Sequence, residues 1–228
     1  MTGNLPQDAS LTLAGPVGAL EVILTNGVGG QVEEASYVAV LCHPHPIHGG
    51  TMNNKVITTL MRAYRDLGIP VIRFNFRGVG KSAGSFDNGV GEVEDLLAVV
   101  TWARQQFPRA QLLLAGFSFG SAMAAQASHR LSDVQHLLLI APPVERYVYD
   151  DEGHFKCAVA VIIGEKDELV NVAGVREWVT QLQTSARFTE YPEAGHFFHG
   201  YLSKLKEDVS EILMAELSLS INSADESL

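Results

Sequence analysis

The chain is poor in cysteine, in positive charge and in long apolar runs. Only two cysteines, Cys42 and Cys157, occur in 228 residues. Both sit in apolar, strand-like surroundings, which reads as buried free thiols and excludes a disulfide framework. Lysine and arginine total 16 against 26 acidic residues, a net charge of −10, which opposes an electrostatic grip on nucleic acid or on an anionic membrane surface. No apolar run approaches the ~18 residues of a transmembrane helix. The opening MTGNLPQDAS has neither the basic nor the apolar region of a signal peptide. The expected address is therefore the cytoplasm, with no nucleic-acid or membrane partner. A homodimer stays open, although no heptad or interface pattern speaks for one.

What is present is an ordinary globular composition, 46% hydrophobic and 18% charged. A chain of this length buries roughly 70% of its unfolded surface, enough to fold without a structural metal. Apolar runs of strand length recur at Leu11–Leu13, Leu20–Leu24, Tyr37–Cys42, Val71–Phe76, Leu112–Gly116, His136–Ile140, Ala158–Gly164 and Arg187–Tyr191. From the third onward they alternate with helical patterns at Asn53–Leu67, Val90–Gln106, Ser118–Leu131, Val172–Thr184 and Ser203–Leu217. Such alternation predicts an α/β fold with helices on both faces of a mostly parallel sheet. Gly15-Pro16-Val17-Gly18 between the first two runs is a turn signal and predicts an antiparallel pair. No linker or repeat appears, so residues 1–228 read as a single domain, with a core over 10–217 and a polar tail at 220–228 expected to fray.

The segment Gln111 to Ala122 reads QLLLAGFSFGSA: a buried-strand pattern, then Gly-x-Ser-x-Gly, then small residues suited to a closely packed helix. The glycines of that motif allow a sharp strand-to-helix turn that lifts a serine hydroxyl above the sheet, so Ser118 is the candidate nucleophile. A hydroxyl needs a base to take its proton, and the base needs a third group to orient it. Carboxylates Glu165, Asp167 and Glu168 follow the run Ala158–Gly164, at the strand end where open α/β sheets build their sites. Asp167 is the choice, with Glu165 and Glu168 as rivals. After the last strand comes Tyr191-Pro-Glu-Ala-Gly-His196-Phe197-Phe198-His199, and His196, next to glycine and shielded by phenylalanines, is the candidate base, with His199 the alternative. Acyl transfer also needs backbone N–H donors for the oxyanion. One is Phe119, after the nucleophile. In His43-Pro44-His45-Pro46-Ile47-His48 the prolines have no N–H to give, leaving His45, with Ile47 as alternative. The His45 side chain also stands ready to face a substrate.

These stretches, with Asn75-Phe-Arg77-Gly78-Val-Gly80-Lys81-Ser82, resemble the α/β-hydrolase superfamily. HPHPIHGGTMNNKV and RFNFRGVGKSAGSFDNGVGE are more narrowly similar to small bacterial hydrolases related to dienelactone hydrolases and esterases. The resemblance implies Ser118 as nucleophile, Asp167 as acid, His196 as base, and the amides of His45 and Phe119 as oxyanion hole. It also implies an eight-stranded, mostly parallel sheet with its second strand antiparallel. Dienelactone hydrolases proper carry an elbow cysteine where this chain has Ser118, which departs from that lactone activity.

Many superfamily members insert a lid after the sixth strand, but Ala141 to Cys157 is 17 residues, too short for a helical cap and a return. The site is therefore expected to be open, rimmed by Tyr147, Tyr149, Asp150 and Asp151, with Tyr147 and Phe197 contacting substrate. The resulting reading is a carboxylesterase acting on small or accessible esters, with thioesters or peptides as alternatives on the same triad and no cofactor. Three other classes compete. His43-x-His45-x-x-His48 resembles a zinc spacing but has Ile47 where that motif carries aspartate. Gly80-Lys81-Ser82 ends like a P-loop but has Asn75 where the first glycine belongs. The third is a non-catalytic binding protein that keeps the fold; Ser, Asp and His in the right chain order speak against it.

Overall fold

A computed structural model describes residues 8–29, 35–149 and 153–217. Among these, eight strands run β1 Asp8–Gly15, β2 Gly18–Thr25, β3 Tyr37–Cys42, β4 Val71–Phe74, β5 Gln111–Phe117, β6 Val134–Ile140, β7 Ala158–Gly164 and β8 Ala186–Tyr191. They form one sheet in the order β1-β2-β4-β3-β5-β6-β7-β8. β2 is antiparallel to both β1 and β4, and the pairs from β4 to β8 are all parallel. Helices α1 Lys55–Asp66, α2 Val90–Gln106, α3 Phe119–Arg130, α4 Val172–Gln181 and α5 Leu202–Glu216 connect them. This is the expected mostly parallel α/β sheet.

The continuous apolar runs of the central strands follow from burial on both faces. Alternate residues of β5 divide between two cores: Leu112 and Leu114 pack with Val99, Ala122 and Ala125 of α2 and α3, while Leu113, Ala115 and Phe117 pack with Ile57 and Leu60 of α1 and Leu205 and Val209 of α5. Full burial of a side chain such as Leu60 contributes about 1.5–3 kcal/mol. The edge strand β1 is longer than its apolar run because it is half-exposed: Ala9, Leu11 and Leu13 turn inward and their neighbours outward, a period-two pattern that a search for continuous runs shortens. Asn54 caps α1, its Oδ1 accepting the Val56 N–H at 2.9 Å, so the helix starts later than Asn53. α4 stops before Thr184, whose Oγ1 is occupied by the N–H and C=O of Phe155 at 2.7 and 3.0 Å. The tail 220–228 and Asp150 and Asp151 lie outside the described residues.

Beyond Phe74 the Asn75 N–H still donates to the Glu21 carbonyl of β2 at 2.9 Å, and the N–H groups of Phe76 and Arg77 then turn to the side chains of His43 and Asp95. Asn75 Oδ1 accepts the Met52 N–H at 2.9 Å and its Nδ2 donates to Glu21 Oε2 at 2.8 Å. Glu21 Oε2 also accepts the Lys81 N–H, and Ser82 Oγ donates to the Asn75 carbonyl at 2.6 Å. The residues of the P-loop-like ending are thus committed to bracing β2 against β4. Arg77 makes a bidentate pair with Asp95 of α2, Nε to Oδ2 at 3.0 Å and an Nη to Oδ1 at 2.8 Å, and its N–H donates to the same Oδ2 at 2.9 Å. The Asp95 side chain is fully buried and that of Arg77 nearly so. Removing one member of such a pair strands a buried charge. Asp95→Asn is therefore expected to lower unfolding free energy by about 3–5 kcal/mol in a urea titration, while Glu94→Gln, which breaks an exposed pair with Arg130, costs less than about 1 kcal/mol. Equal losses from the two variants would contradict this account.

Candidate active site

Ser118 stands between β5 and α3 with φ 54° and ψ −120°. A side-chain-bearing residue in that region stores on the order of 1–3 kcal/mol of strain and persists only when its surroundings hold it. Here both ends are held: the Ser118 N–H donates to the Ile140 carbonyl at 2.8 Å, and the Ser118 carbonyl accepts the Ser121 N–H at 2.9 Å. The two motif glycines are required by contact. A Cβ on Gly116 would lie 2.2 Å from the Gly120 carbonyl oxygen, and one on Gly120 2.2 Å from that of Cys42. This close approach packs the start of α3 onto the end of β3 and brings the loop after β3 beside the turn.

Among the three carboxylates after β7, Asp167 faces the histidine. Its Oδ2 lies 2.8 Å from His196 Nδ1, while Oδ1 accepts the N–H groups of Leu169 and Val170, each at 2.8 Å. Its side chain is fully buried. Glu165 turns to Arg176 instead. Glu168 has a part that sequence reasoning missed: its Oε2 accepts the His196 N–H at 3.1 Å, so it steadies the backbone that carries the imidazole. His196 itself is buried, its ring 4.9 Å from that of Phe117, the residue before Ser118. His199 is exposed beside Phe197. The structure thus brings Asp167 and His196 together next to the Ser118 turn and leaves Glu165 and His199 outside.

The loop after β3 is ordered by its own hydrogen bonds. The Ile47 N–H is taken by His45 Nδ1 at 3.3 Å, whereas no acceptor among the described residues takes the His45 N–H. The Phe119 N–H is the first of α3, in the position that has no intrahelical acceptor. His43 has both ring nitrogens engaged by backbone: Nε2 accepts the Phe76 N–H at 3.0 Å, which places the proton on Nδ1 for the Pro44 carbonyl at 2.6 Å. That leaves it no lone pair for the metal reading. Burial, with the charges of His48 and Arg146, also holds His45 below the usual histidine range. Around the Phe119 ring stand His45 at 5.0 Å, Tyr147 at 5.5 Å, Phe76 at 5.7 Å and Phe86 at 5.8 Å. On the other side of the turn Phe197, 37% exposed, lies 5.0 Å from the His196 ring. Tyr147 is half-buried against Phe119, whereas Tyr149, expected at the rim, is a correction: it is buried, its hydroxyl 2.6 Å from Ser121 Oγ.

The model of the alpha/beta hydrolase fold matches residues 47–153. An α-β serine hydrolase homologue from Coxiella burnetii is 41% identical, with TM-score 0.87 over 92% of this chain and all of that one. A serine hydrolase without lid from Xanthomonas campestris is also 41% identical, with TM-score 0.86 over 92% of this chain and 96% of that one. An uncharacterized protein of Rickettsia prowazekii is 38% identical over 78% of each chain. The chain belongs to the α/β serine hydrolases. Among the described residues of this hydrolase β6 passes to β7 with no helix between them, so no lid stands there.

Two site neighbours of the hydrolase, Phe86 and Ser121, escaped sequence reasoning, and so did the contact of Ser121 with Tyr149, a residue expected at the rim. Phe86 lies in a loop with no motif of its own, and Ser121 and Tyr149 meet only in three dimensions. The Gly-x-Ser-x-Gly context marks the start of α3 but not which serine after it turns inward. His43 offers a pH test. Burial pushes its imidazole down to about 4 from 6.5. The unfolded chain therefore takes up a proton below pH 6.5 that the folded chain refuses until about 4, so this contribution is full above 6.5 and is lost as pH falls through that window. Its size is on the order of 3 kcal/mol. Histidine-detected NMR is expected to show the His43 ring neutral at pH 5; a midpoint near 6.5 would contradict the burial argument.

Proposed function

We propose that this hydrolase cleaves small or solvent-accessible carboxylic esters by two-step acyl transfer. Ser118 attacks the carbonyl, His196 takes the hydroxyl proton and returns it to the leaving alcohol, and Asp167 holds the imidazole tautomer. The N–H groups of His45 and Phe119 receive the oxyanion. Water then repeats the sequence on the acyl-enzyme. The observation that carries this reading is the Asp167–His196 contact at 2.8 Å beside a strained serine turn. With Oδ1 occupied by two amides, the carboxylate has only Oδ2 to offer the ring, which sets the proton on Nδ1 and leaves Nε2 as a base.

The rim offers apolar contact to a substrate, alongside the exposed Arg146 whose charge reaches His45. Ile47, Val90, Val148, Leu169 and Phe197 are exposed, and they lie in the segments that follow β3, β4, β6, β7 and β8, on the edge that carries the nucleophile. Apolar side chains at the mouth favour an apolar acyl or alcohol group, and the missing lid leaves no tunnel for a long chain. Esters rank ahead of thioesters, and amides rank last, because expelling an amine demands more protonation and positioning than an open site supplies.

The test is fluorophosphonate labelling followed by fragmentation of the labelled peptide, with a p-nitrophenyl ester series alongside. One adduct on Ser118, absent in His196→Ala and after heat denaturation, together with faster turnover of acetate or butyrate than of octanoate, is the expected result. No adduct on the folded protein would overturn the triad, and preference for octanoate or longer would overturn the open-cleft reading.

A further inference from the structure

The Ser118 carbonyl accepts a second donor besides the Ser121 N–H. Ser121 Oγ lies 2.5 Å from it and 2.6 Å from the Tyr149 hydroxyl. A carbonyl only accepts, so the single Ser121 proton points at Ser118 and the phenol must donate to Ser121 Oγ. Burial holds the Tyr149 phenol far above its usual range, so it is a donor at every working pH. The segment bearing it is fastened to α3: Gln126 Nε2 donates to the Val148 carbonyl, and His129 Nε2 to the Tyr149 carbonyl, each at 3.0 Å. The Tyr149 ring stands 5.4 Å from Trp178.

The end of this chain gives it a chemical consequence. The Ser118 carbonyl belongs to the same peptide group as the Phe119 N–H. Hydrogen bonds donated to a peptide oxygen polarise that peptide and strengthen its N–H as a donor, an effect of about 10–30% per bond. We propose that Tyr149 and Ser121 are positioning residues, which hold and polarise the Ser118–Phe119 peptide so that its N–H meets the oxyanion. The proposal rests on the reading of Ser118 as nucleophile and Phe119 as oxyanion donor. The line of donors runs from the Tyr149 hydroxyl through Ser121 and the peptide to the substrate oxygen. It acts where charge develops in the transition state, so it contributes to kcat rather than to ground-state binding.

A double-mutant cycle on p-nitrophenyl butyrate hydrolysis tests it. Tyr149→Phe keeps the ring and removes only the donor, and is expected to lower kcat roughly five-fold with KM unchanged within about two-fold. Ser121→Ala is expected to lower kcat at least as much, and adding Tyr149→Phe to it changes nothing further, because the line is already cut. Multiplying effects in the double variant, or a loss confined to KM, would overturn the proposal. If Tyr149→Phe loses its fold by circular dichroism, the kcat-against-KM split of Ser121→Ala decides alone. Fluorophosphonate labelling separates the two levels. A wild-type enzyme unlabelled at Ser118 refutes the nucleophile reading and this inference with it, whereas a labelled enzyme with independent variants refutes the inference only.

Discussion

The turn at Ser118 is the constraint on which the site is built. Its backbone sits at φ 54°, ψ −120°, a conformation with no intrinsic support in an L-residue, and the sheet must supply the difference. Pairing of β5 with β3 and β6 on either side holds the strand that enters the turn. The Ile140 carbonyl accepts the Ser118 N–H, and the Ser121 N–H and hydroxyl donate to the Ser118 C=O. Gly120 lies against the Cys42 and His43 carbonyls, so the position of α3 and that of the loop after β3 are one variable. Moving either moves Phe119 and His45 together.

A second constraint is electrostatic. The Asp167 carboxylate is buried, and a buried charge is tolerated only where its oxygens are satisfied. Two backbone N–H groups and the His196 ring do this. The same bonds that make the charge tolerable also aim it, so stability and orientation have a common source. Glu168, from the same turn, holds the His196 backbone. The Arg77–Asp95 pair performs the parallel service for the loop after β4, tying it to α2 and so supporting the wall that carries Phe86.

Most of the architecture was legible because the central strands are buried on both faces and read as unbroken apolar runs. The edge strand β1 was under-read for the converse reason, since alternation hides half of its length. At the site, the serine elbow was legible from its glycines, and the histidine from its place after the last strand. Three neighbouring carboxylates have the same signature in one dimension; only the fold shows that Asp167 turns inward while Glu165 reaches Arg176. Position in a connection alone places Tyr149 at the rim. Its ring is instead interior, because Gln126 and His129 draw the Val148 and Tyr149 carbonyls onto α3, and nothing local in the sequence encodes that contact.

Ser118, His196 and Asp167 are proposed to act as one unit that makes and breaks an acyl-enzyme. The most direct measurement is rapid-quench mass spectrometry during turnover of p-nitrophenyl acetate, read on the peptide that carries Ser118. An acetyl group on Ser118 is expected to appear with a burst of p-nitrophenol, to decay on substrate exhaustion, and to be absent in Asp167→Asn within the same time window. Turnover with no acetyl group on Ser118 at any quench time, or acetylation unchanged by Asp167→Asn, would contradict it.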